Sequence, residues 1–266
     1  MLPKHTFAIP AYGDSPYLKE CIESLLGQSH SGSDIILCTS TPDAFLEQTA
    51  AEYGLRYFVS SNKSSLRNDW GFALKTAAEQ TGAQLVTISH QDDIYHRDYV
   101  KALMNAYSYH PDMSVFCTRY RTIDGSGNEI NGKAENVKRL LRLPLRLHAL
   151  ADRSLIKKSA LILGNSIGCP TCTYNLDVTG TELFTEDLSF VIDWDLLLKL
   201  AGRPGRFICV EKELMSYRVH AGAATKANIE NHNREAEESM IFRKIWPGPA
   251  ARLIMHFYKA SYSAYD

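Results

Sequence analysis

No stretch of the 266 residues approaches the run of about 18 continuous apolar side chains that a membrane-spanning helix needs. The first ten residues are too few and too polar for a secretory leader. The sequence therefore reads as a soluble, cytoplasmic chain, with peripheral contact at the inner face of a membrane as its one route to lipid. Charge of one sign is also missing. Against 30 Asp and Glu stand 29 Lys and Arg, a net charge of -1, which argues against a surface that coats nucleic acid. No glycine-rich phosphate loop follows the first apolar run. Repeats and low-complexity tracts are absent. The six cysteines, Cys21, Cys38, Cys117, Cys169, Cys172 and Cys209, are scattered, mostly within apolar runs, as buried reduced thiols would be. The single CxxC, Cys169-Pro-Thr-Cys172, lacks the second pair or neighbouring histidines of a zinc or redox site.

What is present is an alternation. Residues 5–9, 34–38, 56–59 and 85–89 read as short apolar strands. Between them, Leu18, Ile22, Leu25 and Leu26 recur at helical spacing, Thr41-Pro42 opens a second helix, and Trp70, Ala73, Leu74 and Ala77 share one face of a third. A helix over residues 99–107 follows. Such repetition predicts an α/β fold with a mostly parallel central sheet flanked by helices. Ligands then bind beyond the carboxyl ends of the strands.

The pattern changes after Met113. Residues 115–123 read as a strand, Asp124-Gly-Ser-Gly127 as a turn, and Glu129-Ile130 as the start of a return strand. Strands are further expected within 167–175, 207–210 and 214–219, and helices over 193–201 and 229–245. Residues 133–158 carry eight Lys or Arg against Glu135 and Asp152, interleaved with leucines and broken by Pro144. They fit either a solvated helix pair on the sheet or a surface for anionic lipid headgroups.

Three constellations carry chemistry. In Ser89-His-Gln-Asp-Asp-Ile-Tyr95 an apolar strand ends in two adjacent carboxylates, Asp92 and Asp93. Adjacent acids repel unless a hard divalent cation sits between them and a phosphate; the plain alternative is a cap or solvated turn. In Phe190-Val-Ile-Asp-Trp-Asp195, Asp193 and Asp195 stand at the mouth of an apolar helix. Spacing alone favours a helix cap over a general base. In Ser216-Tyr-Arg-Val-His220, Arg218 and His220 fall on one side of a strand, where they could meet a diphosphate or a metal, or simply face water.

The order and spacing of these features resemble family 2 glycosyltransferases of the GT-A fold. Phe7-Ala-Ile-Pro-Ala-Tyr12 resembles that family's opening strand ending in Pro-x-Tyr, and residues 18–30 its first helix. Asp92-Asp93 resembles the metal-binding acidic motif, Ile192-Asp193-Trp-Asp195 the later Glu-Asp motif, and Tyr217-Arg-Val-His220 a Tyr-Arg-x-His segment. The departures are Gly13 in place of Asn, Cys38-Thr39-Ser40-Thr41 where an Asp-Asp-Gly-Ser is usual, His90 for the first acid of Asp-x-Asp-Asp, and Ile192 for the Glu before the base.

The resemblance implies a GT-A nucleotide-sugar-binding fold with a mixed acceptor-side region, residues 1–225 forming the catalytic domain and 226–266 a C-terminal helical extension. It implies transfer of a sugar, with inversion, from a nucleotide-diphosphate sugar donor to a glycan or lipid-linked acceptor of bacterial surface polysaccharide, such as lipopolysaccharide. Asp193 is the implied base. Pro10, Tyr12, Thr39, Thr41, Asn62, Arg67, Asp92, Asp93 and Arg218 are implied at the donor, with Asp92 and His220 on Mn²⁺ or Mg²⁺. Gly164, Asn165, Trp194 and Asp195 are expected on the acceptor side. A nucleotidyltransferase, or a binding protein descended from the same fold that performs no transfer, are the competing readings.

Overall fold

The computed structural model describes residues 2–130, 133–220 and 233–259. The first half follows the alternation. Strands β1 (His5–Pro10), β2 (Asp34–Thr39), β3 (Arg56–Val59) and β4 (Leu85–Ile88) are joined by helices α1 (Leu18–Leu26), α2 (Ala44–Glu52) and α3 (Leu66–Thr81). Helix α1 buries Leu18, Cys21, Ile22 and Leu25, the i, i+3, i+4, i+7 stripe. Each such aliphatic removed from water is worth about 1.5–3 kcal/mol. The start of α2 differs from its Thr41-Pro42 signal. Asp43 caps α2 by accepting from the Leu46 N–H at 2.8 Å, and no side chain caps α1. Ser65 caps α3, accepting from the Asn68 N–H at 3.2 Å.

β5 (Ile94–Tyr95), α4 (Tyr99–Tyr109) and β6 (Met113–Ile123) come next. The basic stretch forms α5 (Lys133–Arg142), two short 3-10 turns that take up Pro144, and α6 (Ser154–Ser159). β7 (Thr173–Asn175), α7 (Leu176–Thr179), α8 (Ile192–Ala201) and β8 (Arg206–Arg218) follow, then α9 (Asn233–Ile245) and α10 (Gly248–Tyr258). β8 is one bulged strand rather than the two expected. Glu129 makes only an isolated bridge to Ile123. The boundary expected at 225/226 lies outside the described residues, as do positions 229–232 of the expected helix.

The expectation of a mostly parallel central sheet is overturned. One eight-stranded sheet has the order β3-β2-β1-β4-β7-β6-β8-β5, and it is mixed. β3, β2, β1 and β4 are parallel, but β7 runs antiparallel to both β4 and β6, and β5 runs antiparallel to β8. The reason lies in the connections. Parallel neighbours need a crossover, and β7 arrives instead from a 3-10 turn at Cys169–Thr171 that drops it between β4 and β6 in the opposite direction. Apolar runs report burial and not strand direction, so this was not written in the pattern.

Side chains alternate between the two faces, as a period of two requires. Ala8, Ile36, Cys38, Val86, Ile88, Val115, Cys117, Phe207 and Cys209 join a core with α3, α8, α9 and α10. Phe7, Ile9, Leu37, Leu85, Phe116 and Ile208 join another with α1, α2 and α4. A buried polar line crosses the strands: His5 bonds Ser33 and Thr87 (2.8 and 2.9 Å), Thr87 bonds Thr173 (2.6 Å), and Thr173 bonds the Tyr99 hydroxyl (2.9 Å). Burial, helped by nearby His30, pushes the His5 imidazole down to about 3, so it is neutral in the folded protein. Among the described residues no helix is long and apolar enough to cross a membrane.

Candidate active site

A cavity of about 820 Å³ opens beyond the carboxyl ends of β1 and β4. The chain order reverses between these two strands, which is where open sheets bind ligands. Its floor is built from the loops after them. The Gln91 side chain ties the two together, accepting from the Tyr12 N–H (2.9 Å) and donating to the Tyr12 carbonyl (3.0 Å).

At the end of β4, one ligand atom each from His90, Asp92 and Asp93 lies within 4.8 Å of the others. His220 Nε2 is 2.9 Å from Asp92 Oδ2. Burial works against charge on Asp92, but the His220 bond and the charges on His90 and His220 outweigh it and hold the carboxyl below its ordinary range. Burial, then the Asp92 charge, push Asp93 well above its ordinary range. Adjacent acids at one point are thus pushed apart in acidity, Asp92 downward and Asp93 upward. Burial lowers the His90 imidazole, whose Nδ1 stands 3.8 Å from Asp93 Oδ2. Asp93 Oδ2 and His90 Nε2 are buried without a hydrogen-bond partner. Hard carboxylate oxygens and an imidazole nitrogen within 4.8 Å of one another, one carboxylate oxygen buried without a partner, fit a divalent cation.

Arg218 is fully engaged below this cluster. Its N–H donates to Asp93 Oδ1 and its Nε to the Asp92 carbonyl, both at 2.9 Å. Nη2 meets Glu20 at 2.5 Å, Nη1 reaches the carbonyls of Asp124 and Gly125, and the guanidinium lies 4.5 Å from the Tyr17 ring centre. It is 2% exposed and does not line the cavity, so the structure uses it to hold the two acids in place.

Asp193 lies in the first turn of α8 and lines the same cavity. It is not the helix cap. The N-cap is Val191 and no side chain caps the helix; Glu237 of α9 instead accepts from the N–H groups of Ser189, Phe190 and Val191 at 2.7, 2.8 and 3.1 Å, which ties the chain just before α8 to α9. Asn165 Nδ2 donates to Asp193 Oδ2 at 2.8 Å, and Asn165 is itself fixed by the Ile167 N–H at 3.1 Å. Burial pushes the Asp193 carboxyl up to about 6, against the backbone N–H groups of Trp194 and its own residue. Asp195 points elsewhere: it is buried and paired with Lys199 and Lys244, both at 2.9 Å, which staples α8 to α9. Trp194 lines the cavity while its Nε1 donates to the Leu161 carbonyl (3.0 Å).

Gly164 is at φ +136°, and a Cβ there would sit 2.5 Å from the Tyr258 ring; at Gly168 it would be 2.7 Å from Tyr120. The glycines let this segment pass between two aromatic walls. Cys169 lines the cavity and Cys172 is buried, both with thiols pushed well up by burial, which leaves no thiolate for metal or redox chemistry.

The structure thus brings together Pro10, Tyr12, Asp92, His220, Gly164, Asn165, Asp193 and Trp194 around one cavity. Thr39, Thr41, Asn62, Arg67, Asp93, Arg218 and Asp195 stand outside its lining. Thr39 is buried and accepts from the Thr41 N–H at 3.0 Å, closing a turn. Sequence reasoning missed Asp69, Trp70, Arg234 and Glu238, which line the cavity from α3 and α9. Their helices read as amphipathic, and nothing in the spacing says that a polar flank faces a cavity instead of water.

An acid cluster suited to a cation and a separate half-buried carboxylate of raised pKa, lining one cavity of an α/β sheet, fit the class of group-transfer enzymes that act on a phosphorylated donor. Residues 6–167 match the family described as Glycosyl transferase family 2. The chain belongs to that family. It is similar to chondroitin synthase of Escherichia coli, 27% identical over 250 residues, covering 90% of this chain and 33% of the relative. An uncharacterized glycosyltransferase of Rickettsia conorii is 27% identical over 233 residues, 85% of this chain and 36% of that protein. The chain therefore spans about a third of these relatives. Among solved structures, S. aureus TarS 1–349 superposes with a TM-score of 0.63 at 15% identity, covering 95% of this chain and 69% of that one. A mannosyltransferase from Pyrobaculum calidifontis, in complex with GDP-Man and Mn²⁺, gives 0.62 at 13%, covering 100% and 72%. At these identities the likeness is one of fold.

Proposed function

We propose that this chain transfers a sugar, with inversion, from a nucleotide-diphosphate sugar to a hydroxyl of a glycan or lipid-linked acceptor in bacterial polysaccharide synthesis. The observation that carries the reading is the pairing, in one cavity, of the Asp92 cluster with an Asp193 carboxylate held by Asn165. The donor diphosphate lies toward Asp92 and His220, and the acceptor toward Asp193 and Asn165. Asp193 takes the acceptor hydroxyl proton as that oxygen bonds to the anomeric carbon; the bond from that carbon to phosphate breaks, and the nucleoside diphosphate leaves with its electron pair. Asn165 holds the carboxylate in one orientation, and a carboxyl titrating near 6 is ionised yet basic at neutral pH. Asp92, His90, Asp93 and His220 would hold Mn²⁺ or Mg²⁺, which when bound offsets the charge growing on the diphosphate. Release of nucleoside diphosphate coupled to acceptor glycosylation tests the proposal.

A membrane role rests on a thinner surface than the sequence implied. Arg142 and Lys157 are buried, the latter donating to the carbonyls of Arg203 and Gly205 at 2.6 and 2.9 Å. Arg139 and Arg146 face Glu211. What supports peripheral contact is the exposure of Val137, Leu140, Leu147 and Leu155 beside exposed Arg153 and Lys158.

A further inference from the structure

Two helices line part of the cavity with apolar side chains. Val137 and Leu141 come from α5, and Ile254, Phe257 and Tyr258 from α10, joined by Leu163. The spacings i, i+4 and i, i+3, i+4 put each set on one face of its helix. Contacts place both helices beside Asp193. Tyr258 lies against the Gly164 backbone, and its ring centre is 6.2 Å from that of Trp194, the residue after Asp193. Lys138, next to Val137, donates to the Tyr120 hydroxyl at 2.7 Å, and Tyr120 lies against Gly168. Between those two glycines in sequence, Asn165 donates to Asp193. The α10 residues lie beyond the stretch 6–167 that matches the family, so the match does not assign this wall.

The wall does not end inside the cavity. Val137 is 60% and Phe257 68% exposed, and Leu140 and Leu253, on adjoining turns outside the lining, are exposed too. An apolar surface thus runs from the cavity out to solvent, and such a surface marks binding rather than packing. Aliphatic side chains offer no hydrogen bond. A glycan laid on Val137, Leu141 and Ile254 would leave its hydroxyls unpaired, whereas an apolar chain gains by leaving water. Charge agrees. Among the described side chains neither helix has an acid, and Lys138, Arg139, Arg252 and His256 stand along them, so a chain carried on a phosphate meets no repulsion there.

We propose that the acceptor is an amphiphile. Its reacting hydroxyl sits at Asp193, and an apolar chain lies along the α5–α10 wall and leaves the cavity past Val137 and Phe257. This names the acceptor class within the sugar-transfer reading and rests on that reading.

The test is calorimetric binding of inorganic phosphate and of dimethylallyl, geranyl and farnesyl phosphates, each below its micelle concentration. EDTA and the omission of donor keep the Asp92 cluster out of the measurement. The proteins are wild type, Phe257→Ser and Val137→Ser, which cut into the wall at exposed positions on two helices, and Leu253→Ser, which removes an exposed leucine of α10 outside the cavity. Melting temperatures, sedimentation, and affinity for UDP and GDP with Mn²⁺ are measured beside them. Each buried CH₂ is worth about fourfold in affinity, so wild type should gain at least tenfold from dimethylallyl to farnesyl phosphate. Phe257→Ser and Val137→Ser should each weaken farnesyl phosphate by about five- to tenfold or more and leave dimethylallyl phosphate within about twofold. Leu253→Ser should leave every affinity within about twofold. Farnesyl phosphate bound no more tightly than inorganic phosphate would overturn the proposal. Equal losses in Leu253→Ser and Phe257→Ser would also overturn it, by assigning α10 to a lipid surface at large. So would a wild-type dimer that Phe257→Ser dissociates, which would put a second copy of the chain on the wall. Nucleotide binding without farnesyl phosphate binding strikes this inference alone; no nucleotide binding strikes the sugar-transfer reading itself.

Discussion

Replacing Asp193 by Asn separates chemistry from structure, because the two effects have opposite signs. The carboxyl titrates near 6 in the folded protein against an ordinary value of 3.8, and burial is the main cause. A raised carboxyl costs stability when ionised. The cost is absent below 3.8, where both folded and unfolded states are protonated, grows between 3.8 and about 6, and is complete above that. A difference of about two pH units corresponds to at most about 3 kcal/mol at pH 7.5. Asn carries no charge and can still accept from Asn165 and the helix N–H groups. The variant should therefore melt higher than wild type at pH 7.5, and the gain should shrink as pH falls toward 4. Its turnover should fall by roughly two to four powers of ten, since an amide cannot take the acceptor's proton. Donor affinity should hold, because that proton moves only during attack. Wild-type turnover should lose about tenfold per pH unit well below 6. The assays are steady-state transfer, donor calorimetry and melting curves at several pH values. Near-wild-type turnover in Asp193→Asn would refute the base role, and Asp195 is no substitute because Lys199 and Lys244 hold it outside the cavity.

Asp92→Ala should abolish the metal dependence of UDP affinity in calorimetry with and without Mn²⁺; equal affinities in wild type under both conditions would count against a metal at this cluster. His5 titrates near 3 when folded and near 6.5 when unfolded, so its contribution is complete above 6.5 and is lost as pH falls. Acidifying from pH 7 to 5 should cost wild type about 2 kcal/mol through this residue, and His5→Gln should lose less over the same interval in denaturant titrations. Flotation with anionic vesicles should occur at low salt and fade at high salt, and its absence at low salt would dismiss the membrane surface.

The strand and helix order of the first half was legible because each element buries one face, and burial repeats with a period of two or 3.6. Leu18, Ile22 and Leu25 could be read directly, while Leu26, counted with them, is exposed and Cys21 fills the stripe instead. The direction of β7 could not, since a three-residue strand carries no mark of which way it runs. Among site residues, Asp92, His220 and Asp193 were visible as acids and an imidazole at the ends of apolar runs. Asp195 looked equivalent to Asp193, two residues away. Only the 100° turn of the helix per residue decides that one carboxylate meets the cavity and the other meets Lys244. The hold of Glu237 on the residues just before α8 was hidden for a different reason: it lies more than 40 residues later, and patterns at helix starts describe neighbours in sequence. Asp69 was hidden likewise, because Ser40 and Ser64 on two other loops hold it at the cavity.

The most direct test of the central claim is a donor panel of nucleotide-diphosphate sugars incubated with the protein, with and without Mn²⁺ and acceptor, followed by quantitation of the nucleoside diphosphate released and the anomeric configuration of the new bond. The account predicts release that needs metal, rises with acceptor, inverts the anomeric centre and collapses in Asp193→Asn. Binding of a donor without any release, or transfer with retained configuration at wild-type rate in Asp193→Asn, would contradict it.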